Sequence, residues 1–564
     1  MTKRDYMAWA LVILGSALTA VVPFLFYKSI TGSFLPEILP QLETDSLYYL
    51  LQIRELFDGN FFLGNPYILE HAQEKFPGLL LPIWIAAIPG LFGLGPNAIY
   101  AFNIFFYSIL IGAFLYLICL RASEGRRWLA VPVAVLGVAS MHNLIIRPAV
   151  MQTIYPAFAL FCLALYSVLK NPKNRWNYAL LGATCAFAFY LYPYFWMMAF
   201  TAVGLLTLST VWQRNWKMFF ALTLTWVGIV VVSMPQVLTI ISLFSDELAM
   251  QLNHRVELVE THRVLPLTLL NNKFSILAIA GLALIAWKRK LKAAETLLLL
   301  LSAGILISAT SNIITGKELD FHSHFWRQGL FINVIAIVVF ARSFLASTTL
   351  YERGIAGFCA LVILLSTGSR VFIRINGYEY LNRREVIATA YEKAAGYTQV
   401  IDFLNQNADG KRVIMSPPTM SQYLVLYTDD YVFYMQRAAM HNISNDELRE
   451  RFLAFYVDRI TREFLLDDMD GYAGGGPEHA SIYHNLYGAE STPLDFIGGE
   501  EFLTQVFKEH EAIKNNYEEV LRKYHVSYIV TDTWSDRNPT PPSSAIPVYQ
   551  DERFTIYTLP DKVE

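Results

Sequence analysis

Residues 41–60 read QLETDSLYYLLQIRELFDGN, and their position decides how the rest of the chain is read. Upstream, Lys3 and Arg4 precede an apolar run from Met7 to about Phe26. At roughly twenty residues that run can span a bilayer, and it exceeds the apolar core of a cleavable signal. We read it as a retained first helix, which places Glu43, Thr44 and Asp45 just beyond a membrane span. A charge at that position has no buried salt-bridge network to serve. Thr44 or Asp45 can cap the helix that ends at Gly59. A carboxylate at a water–lipid boundary can equally take a proton from a hydroxyl or bind a divalent cation. In the helix itself, Tyr49, Ile53, Leu56 and Phe57 share one face by their spacing, with Gln52, Glu55 and Asp58 elsewhere around it. That pattern predicts a helix lying along the membrane surface and holding Asp45 at the boundary.

Working outward, the 564 residues are 54% hydrophobic and 16% charged, where a soluble chain carries about 25% charged residues. The deficit lies almost entirely before residue 373. The expected fold is therefore an α-helical polytopic membrane protein over 1–372, with a C-terminal extracytoplasmic α/β domain over 373–564. Net charge is −3 and no basic tract is long enough to suggest nucleic acid. Cys119, Cys162, Cys185 and Cys359 all fall in apolar spans, and the tail has no cysteine. A disulfide framework or a cysteine-based zinc site in the tail is excluded.

Positive charge sets the topology. With the N-terminus cytoplasmic, residues 29–76 lie outside. The stretch PGLLLPIWIAAIPGLFGLGP is interrupted by Pro82, Pro89 and Gly90, and if it crossed, Arg121, Arg126 and Arg127 would land outside. Placed in the outer interface as an in-plane helix, it leaves every inner loop basic: 121–127, 170–175, 213–217, 288–292 and 342–353. About eleven transmembrane helices result, with the C-terminus outside, in a plasma (inner) membrane. The outer set comprises 29–96, 142–154, the YPYFW turn at 192–196, 244–273, 313–325 and the tail. The polar 244–273 loop is expected to be a solvated connector or a mobile lid. In the tail, TQVIDFLNQN, NDELRERFLAFY and FLTQVFKEHEAIKNNYEEVLRKY read as helices. RVIMSP, HVSYIVTDT, IPVYQ and FTIYTL read as strands, SQYLVLYT as either. GYAGGGPEHA lacks the Lys-Ser/Thr of a phosphate loop and reads as a loop.

Outer-face cations are the second ingredient. Arg147 follows MHNLII, and His322, His324 and Arg327 lie in KELDFHSHFWRQGLF. An arginine near the outer interface can grip a phosphate through its planar fork of donors, or snorkel to headgroups. The two histidines lack HExxH-like spacing for a metal. Tyr190, Tyr192 and Tyr194 suit interface anchoring or substrate stacking.

The loop carrying E-x-D and YYLLQIRELFDGN, the Pro-bounded in-plane segment ending in LFGLGPNAIYAFN, the many spans and the outer tail together resemble the GT-C superfamily of membrane glycosyltransferases. That superfamily includes oligosaccharyltransferase catalytic subunits, protein O-mannosyltransferases and aminoarabinose transferases of lipid A. The loop is similar to the oligosaccharyltransferase type at Asp45, Tyr48, Tyr49, Arg54 and Gly59. The resemblance implies a sugar donor linked to a polyprenyl phosphate or diphosphate, and transfer at the outer face with inversion. The acceptor would be a glycan, lipid or protein. It makes Asp45 the catalytic base or, with Glu43 and a divalent cation (Mg or Mn), part of a metal site. Arg327 would hold the lipid phosphate, which His324, Arg147, Arg54 and Tyr48 would help to bind. The chain departs from the family in RPAVMQTIYPAFALF, which has no second acid, and in the lack of a WWDYG-like motif, which argues against peptide N-glycosylation. A transporter or flippase of lipid-linked glycans would place ionisable groups within spans, whereas these spans are nearly free of charge. A non-catalytic glycan-binding or assembly protein is the third reading.

Overall fold

Where the backbone finds its hydrogen-bond partners decides how the chain divides. In the computed structural model two units form, each from three segments: Met1–Glu37, Leu79–Thr239 and Thr261–Ala388, then Ile38–Gly78, Ile240–Glu260 and Thr389–Glu564. The structure describes all residues except Met1, 41–44, 76–77, 245–246, 256–258, 264–265, 319–323, 377–382, 469–471, 473–493, 495–497 and 561–564. The division is interleaved along the chain, rather than linear with a boundary at 373. The loop after the first span groups with the tail because its polar edges are satisfied there. Val432 N donates to Tyr67 O at 2.8 Å, and Arg54 Nη1 donates to Val425 O at 3.2 Å.

Among the described residues, eight helices are long and apolar enough to cross a membrane: Lys3–Thr31, Pro96–Ala122, Val150–Lys170, Pro193–Trp212, Trp216–Ile241, Ala293–Thr315, Phe325–Ala346 and Leu350–Ile373. The chain is a multi-pass membrane protein. The other three of the eleven expected spans are the helices Arg127–Ser140, Arg175–Leu191 and Lys273–Ala286, of 14, 17 and 14 residues. They fall short of the roughly 20 residues that the hydrocarbon core asks of a helix lying along its normal. The segment expected in the interface is a helix Leu81–Ala87 running into a 3₁₀ turn Ile88–Phe92, also too short to cross. Pro82 and Pro89 occupy first-turn positions, and Gly93 ends the segment at a φ of 84°.

Burial ranks the spans. Val150–Lys170 and Phe325–Ala346 are 78% and 72% buried over their most apolar stretches, against 17% for Trp216–Ile241, so the first two form the centre. Phe158 packs edge-on against Phe195 and Phe331, at ring separations of 5.3 and 5.1 Å. Ion pairs gather the basic loops at one end of the unit. Arg127 pairs with Asp5, Arg342 with Glu124 at 2.7 Å, and Arg289 with both Glu295 and Glu352. Glu295 is fully buried, so charge does enter the spans at this end, always opposite a guanidinium.

The second unit carries a five-stranded sheet: β1 (Val413–Met415), β2 (Tyr431–Val432), β3 (Val526–Asp532), β4 (Ile546–Gln550) and β5 (Phe554–Thr558). The order is β2-β1-β3-β5-β4. β1 pairs in parallel with β2 and β3, and β5 pairs antiparallel with β3 and β4. Every expected strand of the tail forms, and SQYLVLYT resolves as helix, within Pro418–Tyr427. The long amphipathic run breaks at Asn516 into Gly499–Asn515 and Tyr517–Lys523. The Gly-rich segment lies, apart from Tyr472, outside the described residues.

Candidate functional site

The helix Ser46–Phe57 starts at Asp45, whose side chain makes no capping hydrogen bond. Its carboxylate lies instead 2.9 Å from Nη2 of Arg437, so this charge does serve an ion pair, contrary to expectation. The Arg437 guanidinium lies 5.5 Å from the centre of the Tyr48 ring. Tyr48 is buried, and its hydroxyl stands 3.4 Å from Nε2 of His441. Tyr67 packs edge-on against the same imidazole at 6.2 Å. Burial, aided by Tyr67 and Tyr49, pushes the Tyr48 phenol well above its usual range, while Arg437 pulls the other way. Burial likewise raises Tyr67 and pushes His441 down to about 3. Asp45 and Arg437 therefore meet against an uncharged aromatic wall of Tyr48, Tyr67 and His441.

Burial runs most of the way round this helix rather than along the expected face alone, where Ile53 is fully buried. Tyr48, Leu51, Gln52 and Glu55 are buried, while Phe57 is 42% exposed. Glu55 accepts from Nδ2 of Asn60, and that bond makes its burial tolerable, although desolvation still raises its pKa. Apolar spacing could not reveal this, because the buried face carries its own polar partners. Arg54 is held by Val425 O and by the carboxylates of Asp58 and Asp429. Arg255, from the connector expected to be solvated, is 6% exposed. It donates to Ala439 O, Asn445 Oδ1 and His441 O, fixing the segment that carries Arg437 and His441. Glu43 and Thr44 lie outside the described residues.

The first unit holds the cationic candidates. Arg327, on the first turn of Phe325–Ala346, is 7% exposed. Its Nη1 donates to the Tyr192 hydroxyl at 3.3 Å, and its carbonyl accepts from the Tyr155 hydroxyl at 3.1 Å. Among the described residues it has no carboxylate partner, and its Nε makes no hydrogen bond. His324 stands at the start of the same helix without a capping hydrogen bond, with Tyr194 edge-on at 5.2 Å and Tyr192 at 6.3 Å. Both side-chain amide atoms of buried Gln328, and Oδ1 of Asn143 and Asn272, also make no hydrogen bond with described residues. Buried polar atoms are ordinarily paired, and these four are exceptions among the described residues. Arg147 sits half-buried between the helices His142–Ile145 and Val150–Lys170. His322 and Asp320 are not among the described residues.

The described residues do not assemble a metal site. None of their His, Cys, Asp and Glu side chains form a group of three that could hold an ion, and the Arg437 guanidinium faces the Asp45 carboxylate. Sequence reasoning missed Arg437 and His441, which no local pattern in the tail announces. It also missed Arg370, whose guanidinium lies 4.5 Å from the Trp326 ring centre; an arginine six residues before the end of an apolar helix was the available signal.

No protein-family model matches the chain, and no curated protein does. Among solved structures, the chain is similar to ArnT from Cupriavidus metallidurans in the apo state, with 13% identity and a TM-score of 0.43, over 76% of this chain and 86% of that one. A structure of the same protein bound to undecaprenyl phosphate gives 14% identity and 0.43, over 75% and 85%. The Archaeoglobus fulgidus oligosaccharyltransferase in its apo form gives 11% identity and a TM-score of 0.44, over 93% of this chain and 70% of that one.

Proposed function

We propose that this chain is a GT-C-type glycosyltransferase that moves a sugar from a polyprenyl-(di)phosphate donor to an acceptor at the outer face of the membrane. The observation that carries the reading is Arg327: a buried guanidinium with a tyrosine partner and, among the described residues, no carboxylate is suited to receive an anion. In the proposed reaction an acceptor hydroxyl oxygen attacks the anomeric carbon and the bond from that carbon to the phosphate oxygen breaks. The phosphate leaves with the electron pair, and Arg327 neutralises the charge that develops there. Asp45 takes the hydroxyl proton as base, oriented by Arg437. A divalent cation at Asp45 would have to displace that guanidinium and recruit Glu43, and no step is assigned to it.

The test is lipid-phosphate release by the purified protein given short-chain polyprenyl-phosphate sugars. Arg327→Gln is expected to raise the donor KM by tenfold or more, with partial recovery in Arg327→Lys. Unchanged donor dependence would remove Arg327 from the site. Absence of turnover with every donor, together with movement of the lipid across vesicles, would favour transport instead.

A further inference from the structure

The second unit holds a cavity that the proposed reaction does not use. It measures about 340 Å³, within the range of about 300–1,000 Å³ usual for small-molecule sites. Its walls come from the end of the helix Ser46–Phe57 and from the turns that lead into β1 and β2. Glu55, Asp58, Asp429, Lys411 and Tyr431 line it, with Pro66 in the apolar part of the wall.

The pairing within this wall decides what the cavity can recognise. Arg412 and Asp430 are both buried and satisfy one another through two hydrogen bonds of 2.8 and 2.9 Å, so that pair belongs to the fold. Glu55 differs. It is 6% exposed; one carboxylate oxygen accepts from Asn60, and the other makes no hydrogen bond with a described residue. Asp58, which closes the same helix, lies 3.5 Å from Nε of Arg54 and makes no side-chain hydrogen bond with a described residue. Two acids at the C-terminal end of a helix oppose its dipole, and burying one of them adds a further cost. Their placement points to a use other than folding. Across the cavity wall, Lys411 is exposed and donates to the Tyr431 hydroxyl at 3.2 Å, which takes one of its three donors. Four carboxylates of the wall meet the cations Arg54, Lys411 and Arg412, so an ion of either sign gains little. Charged acceptors beside a charged donor instead match a neutral molecule with several hydroxyls, each able both to donate and to accept.

We infer that this cavity binds a neutral sugar unit of a glycan, whose hydroxyls donate to Glu55 and Asp58 and accept from Lys411. The test is saturation-transfer NMR on the full-length protein in a detergent without a sugar headgroup. The probes are glucose, galactose, mannose, N-acetylglucosamine and lactose, with spermidine and glucose 6-phosphate as charged comparators. Glu55→Gln keeps the buried shape while removing the charge. Lys411→Met and Asp58→Asn change exposed positions, where folding is not at stake. At least one neutral sugar is expected to bind the parent, and each variant to weaken it by about fivefold or more. No binding of any neutral sugar, or parent-like binding by both exposed-position variants, would overturn the inference. So would tighter binding of spermidine or glucose 6-phosphate than of every neutral sugar. Binding is read without turnover, so loss of the transferase reading would leave this site's assignment intact.

Discussion

At the residue scale, two histidines of the second unit titrate in opposite senses and give its stability a pH signature. Burial depresses His441 to about 3. The unfolded chain therefore binds the extra proton between about pH 6.5 and 3, and stability is lost as pH falls through that window. For His71, burial opposes the charge, but hydrogen bonds to Glu447 and Glu74 outweigh it and lift the group to about 9. Its contribution is complete below about pH 6.5 and is lost as pH rises through 9. Thermal midpoints in detergent should fall on both sides, with His71→Gln flattening only the alkaline limb; a parent-like alkaline limb in that variant would contradict the assignment. Asp45 was legible as a residue, because charge after a first span stands out. Arg437 was not, since an ion pair between residues so far apart in sequence leaves no trace in the spacing of either segment.

At the scale of elements, Arg255 ties the helix Glu247–Arg255 to the segment that presents His441 and Arg437. Arg255→Met should destabilise the second unit by about 1–3 kcal/mol and speed amide exchange across residues 436–445. Exchange unchanged there would show that the segment holds itself. The tail's helices and strands were readable because each is short, strongly patterned and bounded by turn residues. The buried surface of Ser46–Phe57 was read only in part for a physical reason. Gln52 and Glu55 are buried as well as Ile53, and Glu55 is stabilised there by Asn60, so hydrophobicity alone picked one part of a helix buried most of the way round. The connector at 244–273 looked solvated because Arg255 is charged, yet that charge is what docks it.

At the scale of the whole molecule, charge asymmetry is the signal from which the topology was read. The loops expected together are joined by ion pairs from Asp5 to Arg127, Glu124 to Arg342 and Arg289 to Glu352. The orientation expected from the positive-inside tendency is testable by cysteine labelling, because all four native cysteines are buried. Cysteines introduced at Arg126 and Lys290 should react only from the cytoplasmic side, and one at Ser369 only from the outside; the reverse pattern would invert the topology. The interleaved division into units was not legible, because it depends on backbone bonds such as Val432 to Tyr67 that no local pattern encodes.

The measurement that bears most directly on the central claim is single-turnover release of lipid phosphate by Asp45→Asn beside the parent, at saturating polyprenyl-phosphate sugar. Release is expected to fall by about 10²–10⁴-fold, the usual range for loss of a general base, with donor affinity and thermal midpoint retained. Equal release by the two proteins would contradict it.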